Sequence, residues 1–250
     1  MQKYFNIKFE FDRTTFKKAV VDSIIEKKKG YICVVDGNVL AQTLKNKQYN
    51  SIINNSIVNA CDGSSISLLA GLIHNKQLQT YTGPEIFQDF SNLGFSQIFL
   101  GNTSMVLEKL KLKLSQNKID FSENDFYSLP FNDVNDFDYQ RIASDINKKK
   151  SQIIWVSLGA PKQEIFMSNL LPFLKRGVLF GIGAAINSYI ADGTIKRAPL
   201  WLRELHLEWV FRVLKEPNRI GKRAFRYMLL IPKLVINELR QKGKLYETTS

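Results

Sequence analysis

Five short apolar runs in this chain each close on a glycine or an Asp-Gly pair: Tyr31–Val35, Ser56–Cys61, Ser96–Leu100, Gln152–Leu158 and Gly177–Gly181. Runs of this length, bounded by turn residues, read as buried β-strands. Stretches with helical periodicity alternate with them, at Val39–Lys47, Ser65–His74, Thr103–Ser115 and Glu164–Leu174. A further helix, Phe16–Lys28, precedes the first strand, with Gly30 as its stop. Strand and helix in alternation predict an α/β fold: a parallel sheet with helical crossovers. Ligands of such sheets sit outside the carboxyl ends of the strands. That places Asp36, Asp62, Gly101, Gly159 and Gly183 along one candidate edge.

The 250 residues are 44% hydrophobic, which is enough to bury a core. Charge is distributed unevenly. Lys196 to Lys244 holds thirteen Lys/Arg against four Glu, so +9 of the net +12 lies in the last fifth of the chain. Pro199, Pro217 and Pro232 punctuate this region, and Trp, Phe and Tyr interleave with its cations. It reads as several short, basic, amphipathic helices that seek an anionic partner. The expected division is an α/β core over 1–195 and a basic, aromatic-rich appendage over 196–250. Met1–Glu10 has no apolar core of leader length, and Met228–Ile236 is broken by Pro232 and Lys233, so neither a secretory leader nor a membrane span is expected. Cys33 and Cys61 lie in apolar runs and read as buried thiols. His74 and His206 lack ligand-like neighbours, so no metal site is expected.

Four segments can carry chemistry. Asp62 ends a strand and is followed by Gly63, so it can act as a general base or as the cap of the next helix. Gly159–Glu164 (GAPKQE) follows a strand and opens a helix, where free N–H groups suit an anion. Within it, Lys162 and Gln163 can meet a diphosphate or sugar hydroxyls. Gly181–Ile186 allows close backbone approach or tight packing. Lys196–Arg219 combines arginines, which grip phosphate bidentately, with interfacial tryptophans.

Taken with Tyr81–Phe87 and Ile98–Gly101, these segments resemble, in order and spacing, the WecG/TagA/CpsF glycosyltransferase family. The resemblance covers about Phe5 to Arg226 and is strongest in Val156–Glu164 and Lys196–Arg219. It implies a Rossmann-like core with a C-terminal appendage that docks on the membrane. The implied reaction is inverting and needs neither metal nor other cofactor. It moves an N-acetylated or related hexose from a UDP-sugar to a sugar on undecaprenyl diphosphate, at the cytoplasmic face of the cell membrane, for surface polysaccharide or cell-wall polymer. By similarity Asp62 is the base and Gln163 a substrate contact. Arg212 and Arg219 face diphosphate, with Arg197 and Arg203 as further candidates. Asp36, Asn38, Gly101, Lys162 and Gly183 complete the expected substrate-binding set. A homo-oligomer is compatible with this reading. Two positions depart from the family pattern: Val34–Asn38 lacks its threonine and carries Asp36 where asparagine is usual, and Thr80 replaces an arginine.

A nucleic-acid- or anionic-membrane-binding protein without catalysis is the alternative that basic charge alone would allow, but it leaves Asp62 and Gly159–Glu164 unexplained. A dinucleotide-dependent epimerase or dehydrogenase would need a G-x-G-x-x-G after the first strand, and none is present.

Overall fold

The computed structural model describes residues 1–191 and 222–247, together with Pro199, Leu202, Val210, Phe211 and Leu214. A short antiparallel hairpin, β1 (Gln2–Tyr4) and β2 (Ile7–Phe9), comes first. Its turn residues Phe5 and Asn6 both have positive φ, at 51° and 62°. There follow α1 (Arg13–Ile25), β3 (Lys29–Val35), α2 (Gly37–Thr43), α3 (Lys47–Asn54), β4 (Val58–Cys61), α4 (Ser64–His74) and α5 (Gly83–Ser91). The second half contains β5 (Gln97–Gly101), α6 (Ser104–Gln116), β6 (Phe126–Tyr127), α7 (Tyr139–Lys149), β7 (Ile153–Ser157), α8 (Lys162–Leu170), β8 (Gly177–Gly181) and α9 (Ala185–Ile190). The last element is α10 (Lys222–Glu247).

Six strands form one parallel sheet in the order β4-β3-β8-β7-β5-β6, as the alternating pattern predicts. Strand side chains alternate between two cores. Tyr31, Cys33, Val35, Ile154, Val156 and Leu179 face one, and Ile32, Val34, Ile153, Trp155, Val178 and Phe180 face the other. Both faces are covered, which is why the strands read as continuous apolar runs. Helices α3, α4, α7 and α8 pack on the first face, and α1, α5 and α6 on the second. The adjacent strands β3 and β8 send their following helices to opposite faces. Val39 and Leu40 of α2 join the first core, whereas Ala185 and Ile186 of α9 join the second. Divergence of this kind opens a crevice at the carboxyl ends of the strands.

Several boundaries differ from the sequence reading. Helix α1 starts earlier, because Asp12 caps it through Thr15 N–H at 2.7 Å. Gly30, expected as its stop, is instead paired within β3. The single helix expected over 39–47 is two, with Asn46 capping α3 through Tyr49 N–H at 3.0 Å. Helix α5 starts at a capping box formed by Thr82 and Glu85, with Pro84 in its first turn.

Over 222–247 the basic region is one long helix that runs through Pro232, where the sequence reading places a break; most of 196–221 lies outside the described residues. A proline inside a helix deprives the carbonyl four residues earlier of its donor. Here that residue is Met228 and, like Pro232, it is solvent-exposed, so water can substitute. Tyr227 and Leu234 of α10 belong to the first core. Glu238 is 2% exposed; it accepts from Phe5 N–H at 2.6 Å and meets His74 Nε2 at 2.8 Å. Lys242 Nζ donates to Ile73 O at 2.6 Å. No helix among the described residues is long and apolar enough to cross a membrane.

Candidate active site

Asp62 stands directly after β4, its N–H donating to Val35 O at 3.0 Å. The N-cap of α4 is Gly63, which has no side chain to cap with, so Asp62 lies one residue ahead of the capping position. A Cβ placed on Gly83 would lie 3.9 Å from Asp62 Oδ2, 3.3 Å from Ala185 Cβ and 3.4 Å from Ile182 O. Glycine there lets the first turn of α5 close on the carboxylate and on the loop after β8. Asp36, at the end of β3, has the capping role instead: it accepts from Val39 N–H at 2.8 Å. Asn38 lies half-buried in the first turn of α2.

One hydrogen-bond chain laces the ends of β5, β7 and β8. Gly101 has φ +96°, and a Cβ on it would fall 2.7 Å from Ser157 O, so only glycine lets β5 turn here. Asn102 follows with φ +64° and donates from Nδ2 to Ser157 Oγ at 2.7 Å. Ser157 Oγ donates to Gly183 O. Gly183 N–H donates to Gln163 Oε1 at 2.9 Å, and Gln163 Nε2 donates to Glu164 Oε1 at 2.7 Å. Tyr49 OH of α3 completes the chain, donating to Glu164 Oε2 at 2.9 Å. Gln163 is 4% exposed and Glu164 is fully buried. Burial pushes the Glu164 carboxyl up to about 7, against the lowering effect of the Gln163 and Tyr49 hydrogen bonds.

The amide of Gln163 is therefore engaged at both ends by protein groups and fixes the Gly183 loop relative to α8. Gln163→Ala should cost about 1–3 kcal/mol, the penalty of leaving buried polar partners unsatisfied. Urea midpoints of the two proteins measure it. Lys162 Nζ turns away along the surface, donating to Asn132 O and lying 5.1 Å from the centre of the Phe137 ring. Asn102, Ser157, Glu164 and Tyr49 were not singled out as site residues from the sequence. Ser157 and Glu164 lie inside the Val156–Glu164 motif and Asn102 directly follows Gly101, so all three are within reach of sequence reasoning, whereas nothing in the sequence flags Tyr49.

Helix α10 reaches the same edge. A Cβ on Gly37 would lie 3.0 Å from the Tyr227 ring, and Ser65 Oγ contacts Tyr227 OH at 3.4 Å. Burial, with Cys61 and Asp36 nearby, pushes the Tyr227 hydroxyl up to about 12, although the Ser65 hydrogen bond opposes this. Arg197, Arg203, Arg212 and Arg219 lie outside the described residues. Among the described residues, no group of three or more His, Cys, Asp or Glu could hold a metal ion.

The sequence profile of the Glycosyl transferase WecG/TagA/CpsF family matches residues 4–247. The chain belongs to that family.

Similar proteins include the N-acetylglucosaminyldiphosphoundecaprenol N-acetyl-beta-D-mannosaminyltransferase of Bacillus subtilis (strain 168). It is 25% identical over 232 residues, covering 91% of this chain and 86% of that protein. The protein with the same description from Bacillus spizizenii is 23% identical over the same shares of the two chains. That from Staphylococcus aureus (strain MW2) is 23% identical over 77% of this chain and 74% of its own length. As a member of the WecG/TagA/CpsF family, the chain is a glycosyltransferase, and its Asp62 and Gly159–Glu164 segments belong to the matched region.

Proposed function

We propose that this chain transfers an N-acetylated hexose, of the N-acetylmannosamine type, from a UDP-sugar to a hydroxyl of N-acetylglucosamine carried on a polyprenyl diphosphate. The observation that carries the reading is the placement of Asp62: its carboxylate stands at the mouth of the strand-end crevice, against the first turn of α5. The donor lies across the ends of β5, β7 and β8, near Gly101, Gly159 and Gly183. Gly159 supports this, because its surroundings are open enough that a Cβ there would meet nothing within 4 Å. Asp62 takes the proton of the acceptor hydroxyl as that oxygen bonds to the anomeric carbon. The bond from that carbon to the β-phosphate oxygen breaks, UDP leaves, and the configuration inverts. Arg212 and Arg219, by family resemblance, offset diphosphate charge. The activities for which the three relatives are named support the acceptor and the donor sugar.

The product belongs to surface polysaccharide or cell-wall polymer, made at the cytoplasmic face of the membrane. Phe225, Met228, Leu229, Ile236 and Leu239 lie exposed on α10, together with Lys233 and Arg240. Apolar residues that recur at helical spacing and are flanked by cations suit a helix lying on an anionic leaflet. Each cation there contributes on the order of 1 kcal/mol.

The test is UDP release from a panel of UDP-sugars in EDTA, with and without a short-chain lipid-diphospho-N-acetylglucosamine. Release from one donor that depends on the acceptor is expected. Equal release without acceptor, or none across the panel with and without added Mg²⁺ and Mn²⁺, would overturn the reading.

A further inference from the structure

A groove of about 690 Å³ lies outside the edge strand β4, and its use follows from its walls. Its lining comes from the start of α1, from α4, from the connector that follows it and from the start of α5. These elements flank β4; β8, α8 and α9 contribute nothing, so the groove is separate from the crevice between β3 and β8. The lining residues Ser64 and Thr82 stand two residues after Asp62 and directly before Gly83, where a Cβ would lie 3.9 Å from Asp62 Oδ2, so one end of the groove runs close to Asp62.

The chemistry of the walls is that of a carbohydrate site. Asn75, Gln77 and Gln79 supply amides that both donate and accept, and Ser64 and Thr82 supply hydroxyls. Leu68 and Leu72, one helical turn apart on α4, are 39% and 71% exposed and form an apolar strip along the same wall. A pyranose, which has polar edges and an apolar face, matches this combination. Arg13 is held ready at the opposite wall. It donates from Nη2 to Thr80 O at 2.8 Å and to Glu85 Oε1 at 3.0 Å, and its guanidinium lies 5.0 Å from the centre of the Tyr81 ring. Its side chain remains 40% exposed. The groove's volume is in the range of small-ligand sites, about 300–1,000 Å³.

We propose that this groove is the acceptor-saccharide subsite. The acceptor sugar lies along α4 with its reacting hydroxyl at Asp62, its apolar face on Leu68 and Leu72, and Arg13 donating to its oxygens. The donor lies outside the groove, across the ends of β5, β7 and β8, none of which lines it. The proposal rests on the transferase reading for the identity of the ligand.

The test uses the full chain and two titrations by calorimetry: a short-chain lipid-diphospho-N-acetylglucosamine, and UDP. Leu72→Glu and Arg13→Gln should each weaken binding of the acceptor analogue about tenfold or more, the loss of one good contact, with affinity for UDP unchanged. Leu72 is mostly exposed, so its substitution should leave the melting temperature near that of the unaltered protein and decides the matter if Arg13→Gln unfolds early. An unaltered protein that fails to bind the analogue overturns the proposal, as does a Leu72→Glu protein that binds it normally or loses UDP instead. If the analogue binds and the variants lose it, yet no sugar is transferred from any donor, the groove stands and the reading of the reaction falls.

Discussion

Replacing Asp62 by asparagine is expected to lower the rate of sugar transfer by about 10²–10⁴-fold, the usual contribution of a positioned general base. Asparagine keeps the size of the side chain and the backbone hydrogen bond from residue 62 to Val35 O, but it cannot accept the acceptor's proton at neutral pH. The fold should survive, because Gly63 rather than Asp62 occupies the cap of α4. Affinity for UDP should be close to unchanged, since the proposed donor crevice is built from the ends of other strands. Turnover measured at saturating donor and acceptor, alongside UDP titration, checks this. A variant that turns over within a few-fold of the unaltered protein would remove Asp62 as the base.

The second large effect concerns stability. In the folded chain Glu164 keeps its proton up to about pH 7, whereas an unfolded glutamate, with its ordinary value of 4.5, loses it earlier. Between these values the native state binds more protons than the unfolded state. Stability must therefore fall as pH rises through that window, by a total on the order of 3 kcal/mol from this one group. Below about pH 4.5 both states are protonated and the cost is absent. Glu164→Gln cannot ionise and escapes the cost, while its amide can still accept from Gln163 Nε2. Urea unfolding of both proteins at pH 5 and pH 7.5 is the measurement. The difference in stability between them should shift in favour of the glutamine variant as pH rises. If both proteins respond identically to pH, Glu164 does not titrate in this window. The same variant replaces the acceptor of Tyr49 OH by an amide, so some constant loss at both pH values is expected and cancels in the comparison.

The sheet was legible because its strands are buried on both faces. Each of the five longer parallel strands is an apolar run that ends on glycine or Asp-Gly, and composition alone marks such runs. Other elements left weaker traces. The β1–β2 hairpin turns on Phe5-Asn6 with no glycine to announce it. Helix α5 depends on a capping box that the sequence shows only as part of a motif. The continuous α10 crosses a proline that local rules treat as a break, and packing of Tyr227, Leu234 and Glu238 against the core offsets what Pro232 takes away.

The site divides in the same way. The sequence by itself determined the parallel fold, the family, and Asp62, Lys162 and Gln163 as residues to watch, because strand-end positions and motif spacing are local properties of the chain. Only the tertiary structure decided what those residues touch. It turned Lys162 toward Asn132 and enclosed Gln163 between Gly183 and Glu164. It also brought Tyr49, 115 positions away in the chain, onto the Glu164 carboxylate, and opened a groove between Arg13 and α4. The physical reason is that burial and hydrogen-bond partnership arise between segments distant in sequence, and packing of helices on a twisted sheet fixes them in ways that no local pattern encodes.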